Sequence, residues 1–296
     1  MTAVDDVIET SFGGHSLWEP LRRVMVRQPG MAATDTDWTD LAYLHPVDYQ
    51  KSLDEHAGFV QLLVDSGAEV IIAPPDEPGY MDAVFCYDPS LMTNNGAILL
   101  RPGKPQRADE VAFHARTYAE AGIPILGEIE APGTVEGGDT LWIDNSTLAI
   151  GRGYRTNKAG IAQMQALLDP LGVSVVAYDL AHYHGPGECL HLMSFISPVA
   201  DKLAVVYMPM MPVQLVEDLQ ERDWQFIEVP DEEFEPMACN VLALGPRNVV
   251  AMEGNPITRA RMEAAGCMVH VYPGQEISYN RAGGPTCLSR PIWRKA

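Results

Sequence analysis

A unit of one helix and two strands recurs five times along the 296 residues, and this repeat limits the possible folds more than any other feature. In each copy an amphipathic helix leads into a small-residue turn, a β-branched strand, an acidic or proline-rich loop and a second apolar strand. The turn-and-strand segments are residues 66–72, 121–126, 171–176, 223–229 and 265–271, and four of the five keep a glycine. Units of roughly 45 to 55 residues need neighbours to bury their apolar faces. We therefore predict a closed α/β ring of five pseudo-symmetric blades, with short mixed sheets inside and helices outside.

Polar residues recur at one phase of this repeat, about 14 to 21 residues after each turn, where the second strand begins. They are Asp82, Glu136, His191, Asn240 and Cys287. Ring closure would bring these points together at one pole, and burying such a set without partners costs on the order of several kcal/mol. We therefore predict a catalytic or binding site there. An ordinary open α/β sheet, the alternative fold, gives no reason for the shared phase.

The chain can bury an extensive core, since 47% of its residues are apolar and no Ser/Gly-rich linker or charge block divides it. Residues 1–296 are predicted to form a single catalytic domain of five ββαβ-type repeats, with about the first 15 residues flexible. Amphipathic periodicity predicts helices over residues 47–65, 110–121, 158–168, 213–221 and 258–265.

The net charge of −20 argues against nucleic-acid or anionic membrane partners, because both require a basic face. It favours a small cationic substrate. The first 16 residues contain no signal-peptide core, and no apolar run approaches the length of a membrane span. Five cysteines without CxxC spacing indicate neither a disulfide framework nor a zinc ribbon. We therefore expect a soluble, cytoplasmic protein.

Cys287 and His191 are the candidate reacting groups. Cys287 follows the Gly-Gly-Pro turn 283–285, which could expose a thiolate at the lip of a pocket. His191 lies between leucines, in the half-buried setting that suits a general acid or base. Either residue taken alone fits a buried structural role, but their shared phase in the repeat favours catalysis.

Two pairs of acids accompany them. Glu136 and Asp139 flank two glycines, whose permitted backbone geometry would let the carboxylates face a ligand or a histidine. Asp82 and Asp88 would share one face of a regular strand, and paired carboxylates suit a planar guanidinium ion. The alternative for both pairs is a set of solvated acids at turns and strand ends.

Basic residues near these motifs are few. Arg107 follows the Asp88 segment and Arg155 follows the 150–154 segment, so either could bind a substrate carboxylate with two hydrogen bonds. Solvated surface positions are the alternative.

Histidines 182 and 184, with Glu188 and Cys189, superficially suggest a metal site. The Gly-Pro-Gly insertion at 185–187 instead indicates a mobile loop, and no second cluster supports a metal. We predict no metal.

Several of these motifs, in this order, resemble the dimethylarginine dimethylaminohydrolases. That family lies within the guanidine-modifying superfamily, which has the five-bladed pentein ring and includes amidinotransferases and arginine deiminases. The resemblance extends from residue 48 to Cys287, and its strongest pieces are residues 75–77, 82–85, 101–103, 129–136, 155–157, 190–192 and 283–287.

The resemblance implies roles for the reacting groups. Cys287 would attack the guanidinium carbon and form a covalent S-alkylthiouronium intermediate. His191 would protonate the departing amine and later activate water, and Glu136 would hold His191. No metal or organic cofactor would be required.

The resemblance also implies how the substrate is held. Asp82 and Asp88 would bind the guanidinium nitrogens, while Arg107 and Arg155 would take the carboxylate of an amino-acid substrate. Arginine or methylated arginine, converted to citrulline and an amine or ammonia, would be the substrate. A homodimer is expected, because relatives are often dimers.

Two departures bear on the substrate. Tyr87 stands where the methylarginine hydrolases carry a second acid, which removes one charge from the guanidinium seat. The 28–44 segment, where a loop covering the substrate would lie, differs from the family pattern and carries Trp38. Asp88 favours single hydrolysis, because relatives that strip the whole guanidino group place an asparagine there. A different guanidino acid therefore stays open as the substrate.

Two other functions stay open on sequence alone. An amidinotransferase would use the same intermediate but pass it to an amine. A non-catalytic ring protein would use the scaffold to bind a partner, although the presence of Cys287, His191 and Glu136 argues against it.

Overall fold

The computed structural model describes residues 11–32, 36–39, 41–75, 81–188 and 190–295, and its strands form five three-stranded sheets. In each sheet a buried strand pairs antiparallel with a middle strand, and the middle strand pairs parallel with an outer strand. A helix connects each middle strand to its outer strand. Each sheet with its helix is one blade, and the predicted five-bladed α/β ring is confirmed.

The strands follow one another in a fixed order along the chain. They are β1 (Leu21–Arg27), β2 (Glu69–Ala73), β3 (Ser90–Thr93), β4 (Gly96–Leu99), β5 (Ile125–Glu128), β6 (Thr140–Asp144), β7 (Thr147–Arg152), β8 (Ser174–Asp179), β9 (Ile196–Ala200), β10 (Leu203–Val206), β11 (Gln225–Glu228), β12 (Leu242–Gly245), β13 (Asn248–Met252), β14 (Met268–Tyr272) and β15 (Ser289–Arg294). The sheets are β15-β1-β2, β3-β4-β5, β6-β7-β8, β9-β10-β11 and β12-β13-β14. The first sheet joins the two ends of the chain and so closes the ring.

The helices occupy the predicted segments to within two residues. They are α1 (Tyr49–Asp65), α2 (Glu110–Glu120), α3 (Lys158–Leu168), α4 (Val213–Glu221), α5 (Asp231–Phe234) and α6 (Pro256–Ala264). The single turn α5 was not predicted, because four residues are too few to establish a helical period.

Helix α1 illustrates why these segments are helical. Asp48 caps its first turn by accepting the backbone N–H of Lys51 at 3.1 Å. His56, Phe59 and Leu63 recur at helical spacing and are buried against the sheet, as predicted.

The core is formed largely by the sheets. Each of the five middle strands carries an apolar side chain with no exposed surface. These side chains are Val24, Ile98, Ile150, Val205 and Val250. Burying each such side chain stabilises the fold by about 1.5–3 kcal/mol. No helix among the described residues combines the length and the apolar character needed to cross a bilayer.

The loop before each buried strand delivers a polar residue to one end of the ring. Cys287 lies two residues before β15, and Asn240 lies two before β12. The predicted regular strand from Asp82 to Asp88 is wrong, because residues 81–84 form a 3₁₀ turn and the chain turns again before β3. Asp82 and Asp88 therefore do not share a strand face.

Candidate active site

Seven of the eight predicted site residues line one pocket at this end of the ring. They are Asp82, Tyr87, Asp88, Arg107, Arg155, His191 and Cys287. The eighth, Glu136, is fully buried and bonded to His191. Asn240 and Arg281 also line the pocket, and Phe85, Leu190 and Phe234 supply apolar wall. Closure of the ring thus brings together residues that lie up to about 200 positions apart in the chain.

Glu136 and His191 form a short hydrogen bond, with 2.6 Å between Oε2 and Nε2. The other carboxylate oxygen of Glu136 accepts the N–H of Gly103 at 2.9 Å and lies 3.3 Å from Nη1 of Arg155. Burial alone would raise the pKa of Glu136, but its hydrogen bond with His191 and the charges of His191 and Arg155 lower it. Glu136 is therefore an ionised group that can orient His191 and stabilise its cationic form.

Gly138 lets the ring of His191 approach the backbone. A Cβ at this position would lie 2.6 Å from Nδ1 of His191, and a Cβ at Gly137 would lie 2.2 Å from the carbonyl oxygen of Tyr87. Neither glycine has a positive φ. Close packing therefore explains the glycine pair, whereas the predicted need for unusual backbone geometry is wrong.

Cys287 is half-buried on the pocket wall, and Nδ2 of Asn240 lies 3.1 Å from its sulfur. The oxygen of the same amide accepts the N–H of Thr286 at 3.1 Å. A Cβ at Gly284 would come within 2.5 Å of Asn240, and one at Gly283 within 2.3 Å of Phe85. The two glycines therefore allow the loop that carries Cys287 to pack against pocket side chains.

The other described cysteines differ from Cys287. Cys86, Cys239 and Cys267 are buried. Burial raises the pKa of all three thiols, that of Cys86 to about 12. They are suited to packing rather than nucleophilic attack. Cys189 lies outside the described residues.

Asp88 is held by Arg107 and by the backbone. Nη1 of Arg107 lies 2.6 Å from Oδ2, and the N–H of Gly138 donates to Oδ1 at 2.9 Å. Nε and Nη2 of Arg107 reach Glu110 at 2.7–3.0 Å, and Nη2 also reaches the carbonyl oxygen of Phe85 at 2.8 Å. Protein acceptors therefore already occupy the guanidinium of Arg107.

Asp82 lies between two basic groups that sequence analysis did not single out. Its carboxylate is 2.5 Å from Nζ of Lys104 and 3.3 Å from Nε of Arg281, and the hydroxyl of Tyr43 donates to it at 3.3 Å. Burial alone would raise the pKa of Asp82. The charges of Arg281, Arg107 and Lys104 outweigh this effect, so the pKa lies below its usual value. The sequence indicated Lys104 and Arg281 only through their positions next to motifs. Lys104 follows the 101–103 motif, and Arg281 precedes the turn before Cys287.

Tyr87 lies beneath Arg290, whose guanidinium carbon is 3.8 Å from the centre of the tyrosine ring. The side chain is 2% exposed, and its hydroxyl has no hydrogen-bond partner among the described residues. Arg155 contacts Glu136, and its Nη2 donates to the carbonyl oxygen of Glu188 at 3.4 Å.

Asp139 forms a second buried layer behind His191. Its oxygens accept the hydroxyl of Thr156 at 2.6 Å and the N–H of Leu192 at 3.0 Å. Burial raises the pKa of Asp139 to about 6. The carboxyl therefore fixes the backbone next to His191 rather than facing the pocket.

Two groups of possible metal ligands occur near the pocket. His182 bonds the hydroxyl of Tyr154 at 2.6 Å, and the ring of His184 packs on Tyr183. Ligand atoms of Asp88, Glu136 and His191 lie within 4.8 Å of one another. Because arginines bind both of these carboxylates, this second group is already a network of ion pairs, and the expected absence of a metal stays a prediction.

The 28–44 segment borders the Asp82 side of the pocket. Tyr43 reaches Asp82, and the N–H of Leu44 donates to the carbonyl oxygen of Asn280 at 3.0 Å. Trp38 packs edge-on against Tyr43. Residues 33–35 and 40, like residues 76–77 of the 75–77 motif, lie outside the described residues.

Comparison with known proteins places this arrangement in a family. A family model for the eukaryotic N,N dimethylarginine dimethylhydrolases matches residues 32–287. The dimethylarginine dimethylaminohydrolase of Pseudomonas aeruginosa is 30% identical over 269 residues, which cover 90% of this chain and 98% of that protein. The Streptomyces coelicolor enzyme is 29% identical and covers 81% and 85%.

Solved structures agree with the sequence comparison. The P. aeruginosa enzyme, as a mutant complexed with citrulline, superposes with a TM-score of 0.74 at 27% identity, over 91% of this chain and 98% of that one. The product-bound N-terminal domain of ArgZ, a cyanobacterial arginine dihydrolase, gives a TM-score of 0.78 at 19% identity, over 92% and 97%, and shows the shared fold alone. The chain belongs to the dimethylarginine dimethylaminohydrolase family.

Proposed function

We propose that this protein is a cysteine-dependent hydrolase of a small cationic guanidino compound, of the type of arginine or methylated arginine, which it converts to a ureido product and an amine or ammonia. The observation that carries the proposal is the hydrogen bond of 2.6 Å between Glu136 and His191 beside the pocket that exposes Cys287. Family membership supports the same chemistry. Relatives are named dimethylarginine dimethylaminohydrolase and arginine deiminase.

The first half-reaction forms the covalent intermediate. The thiolate of Cys287 attacks the guanidinium carbon, and a C–S bond forms. The C–N bond to the departing group then breaks, and its electron pair goes to the amine, which takes a proton from His191. Glu136 favours the cationic His191 that this step needs. A solved adduct of a dimethylarginine dimethylaminohydrolase variant with S-methyl-L-thiocitrulline supports attack at this type of carbon.

The second half-reaction releases the product. His191, now neutral, takes a proton from water, and the resulting hydroxide attacks the thiouronium carbon. The C–S bond breaks with its electron pair returning to sulfur, and the ureido product leaves. Splitting one difficult displacement into two steps is the advantage of the covalent route.

Asp88 is proposed to hold the guanidinium nitrogens. Its carboxylate lies within 4.8 Å of the ligand atoms of Glu136 and His191, so a planar cation bound to Asp88 would lie beside the proton donor. Tyr87 would form the adjoining wall. Arg107 is proposed to fix Asp88, because its donors are already bound to Asp88, Glu110 and Phe85.

The test is turnover in H₂¹⁸O of arginine, monomethylarginine, dimethylarginine and shorter or longer guanidino acids, followed by mass spectrometry. A ureido product carrying one ¹⁸O is expected from at least one compound. Cys287→Ser should lower the rate about 10⁴-fold or more, whereas Cys267→Ser, at a buried thiol outside the pocket, should match the wild type.

Two outcomes would contradict the proposal. Equal rates in the wild type and Cys287→Ser would exclude the covalent mechanism. Product that appears only when an acceptor amine is supplied, and that carries no ¹⁸O, would show an amidinotransferase instead.

A further inference from the structure

Glu136 and His191 are carried by different blades of the ring. Glu136 precedes β6, whereas His191 precedes β9 of the next blade along the chain. Their side chains nevertheless lie 2.6 Å apart, as the proposed proton transfer requires. Because a displacement of about 1 Å at reacting groups can lower a rate about 10²-fold, the backbones behind these side chains need to be held at a fixed distance.

The hydroxyl group of Thr156 contacts both sides of this pair through buried groups. It accepts the backbone N–H of Glu136 at 3.1 Å and donates to Oδ2 of Asp139 at 2.6 Å. Oδ1 of Asp139 accepts the N–H of Leu192, the residue after His191, at 3.0 Å. This chain of hydrogen bonds, the Thr156–Asp139 bridge, therefore runs from the backbone of Glu136 to the backbone beside the histidine.

The bridge is closed off from water. Thr156, Asp139 and Glu136 have no exposed surface. Gly151 leaves room for the bridge, since a Cβ there would lie 3.0 Å from Oδ1 of Asp139 and 3.0 Å from Cβ of Leu192. Hydrogen bonds in such an interior are stronger than in water, and a group that loses its partner there does not gain water in exchange. We therefore expect the bridge to hold both backbones in place.

The backbone that carries the Thr156 hydroxyl is fixed as well. The carbonyl oxygen of Thr156 accepts the N–H of Gly153 at 3.1 Å. The N–H of Asn157 donates to the carbonyl oxygen of Thr134 at 3.1 Å, and Oδ1 of Asn157 accepts the N–H of Thr134 at 3.2 Å. Movement of Thr156 away from Glu136 would therefore break these bonds too.

We propose that Thr156 is a positioning residue whose hydroxyl, through the bridge, sets the distance between Glu136 and His191. Thr156 does not line the pocket, so it acts on the reaction through this pair. The bridge should therefore affect kcat rather than substrate binding. The effect on kcat rests on the proposed function, whereas the effect on the hydrogen bond between Glu136 and His191 does not.

Proton NMR tests that hydrogen bond without requiring turnover. A proton in a short bond between a carboxylate and an imidazole resonates far downfield, and His191→Gln should abolish the signal and so assign it. Thr156→Val, which has nearly the same shape but lacks the hydroxyl, should move the signal upfield or abolish it. Thr156→Ser keeps the hydroxyl and should keep the signal.

Thr258→Val is the matched control. Thr258 also has no exposed surface, but its hydroxyl has no hydrogen-bond partner in the described part of the chain. The same substitution there should leave both the NMR signal and kcat unchanged. Should Thr156→Val fail to fold, Thr156→Ala, which places no methyl group against Asp139, gives the same comparison.

Steady-state kinetics tests the consequence for the reaction. Thr156→Val should lower kcat about 10–100-fold while KM stays within about threefold of wild type, because the proton donor is displaced and the pocket wall is not. Thr156→Ser should keep kcat within about threefold of wild type.

The two substitutions separate positioning from packing, since valine keeps the methyl group of threonine and serine keeps its hydroxyl. A larger loss of kcat in Thr156→Ser than in Thr156→Val would show that the methyl group matters and would overturn the inference. An unmoved NMR signal in Thr156→Val would overturn it at any kcat. A signal that moves in a protein that turns over no guanidino compound would support the positioning role and count against the proposed function alone.

Discussion

The side chain of Asn240 contacts both the sulfur of Cys287, the candidate nucleophile, and the backbone of the preceding residue, Thr286. Its side-chain nitrogen lies 3.1 Å from the Cys287 sulfur, and its side-chain oxygen accepts the N–H of Thr286 at 3.1 Å. One amide therefore contacts the sulfur and fixes the peptide just before it. Gly284 makes the arrangement possible, since any Cβ there would collide with Asn240.

Asn240→Asp should slow alkylation of Cys287 at pH 7 by about tenfold, because it replaces a hydrogen-bond donor with a negative charge beside a developing thiolate. The measurement is the rate of iodoacetamide labelling at Cys287, followed by peptide mass spectrometry from pH 6 to 9. Asn95→Asp, the same change in an exposed turn, should not alter the labelling rate of Cys287 at any pH in this range. A wild-type profile in Asn240→Asp would show that the contact has no effect on the thiol.

Glu136→Gln should lower kcat by about 10²–10⁴-fold, because a neutral amide no longer stabilises the cationic His191. Labelling of Cys287 by iodoacetamide should persist, which separates loss of the acid from loss of the fold. Glu128→Gln, at an exposed position on β5, is the control and should keep wild-type kcat. A kcat within threefold of wild type in Glu136→Gln would mean that His191 needs no carboxylate partner.

The buried carboxyl of Asp139 should make stability depend on pH. Burial raises its pKa from 3.8 to about 6, so the folded state holds the proton more tightly than the unfolded state. Its contribution to stability is therefore fully present below about pH 4 and is lost as the pH rises through about 6. Asp139→Asn lacks this titration. The free energy of unfolding of the wild type minus that of the variant should therefore be larger at pH 5 than at pH 8, by roughly 1–2 kcal/mol.

Urea unfolding of both proteins at the two pH values measures that difference. Asp179→Asn, at an exposed acid of the same blade, should give a difference that does not change with pH. A pH-independent difference for Asp139→Asn as well would indicate that the carboxyl is ionised throughout.

The ring and the position of the site could be predicted because both follow from the repeat. Each blade needs neighbours to cover its apolar faces, and closure then places the loop before every buried strand at the same end. Cys287, His191 and Asn240 share this phase of the repeat. The single-domain organisation, the homodimer and the cytoplasmic location stay predictions.

Contacts between blades could not be read from the chain. Lys104 and Arg281 meet at Asp82 only after the ring closes, although 177 positions separate them. The sequence suggested that the glycines at 137–138 permit unusual backbone geometry and that those at 283–284 form a turn. Whether a Cβ would collide there depends on atoms from other parts of the ring. Such relationships require three-dimensional packing, to which hydrophobic periodicity gives no access.

Tyr87→Phe should leave the free energy of unfolding unchanged or raise it by up to about 2 kcal/mol, because it removes a buried hydroxyl with no partner among the described residues. The ring stays in place beneath Arg290, so kcat/KM should remain within about threefold of wild type. Tyr178→Phe is the matched control, since the hydroxyl of this buried tyrosine donates to Asp218 at 2.5 Å and its loss should cost about 1–3 kcal/mol. Urea unfolding measures the free energy of unfolding of both variants, and steady-state kinetics measures their kcat/KM. A tenfold fall in kcat/KM for Tyr87→Phe at unchanged stability would instead show that this hydroxyl, which stands where the family carries an acid, binds the substrate directly.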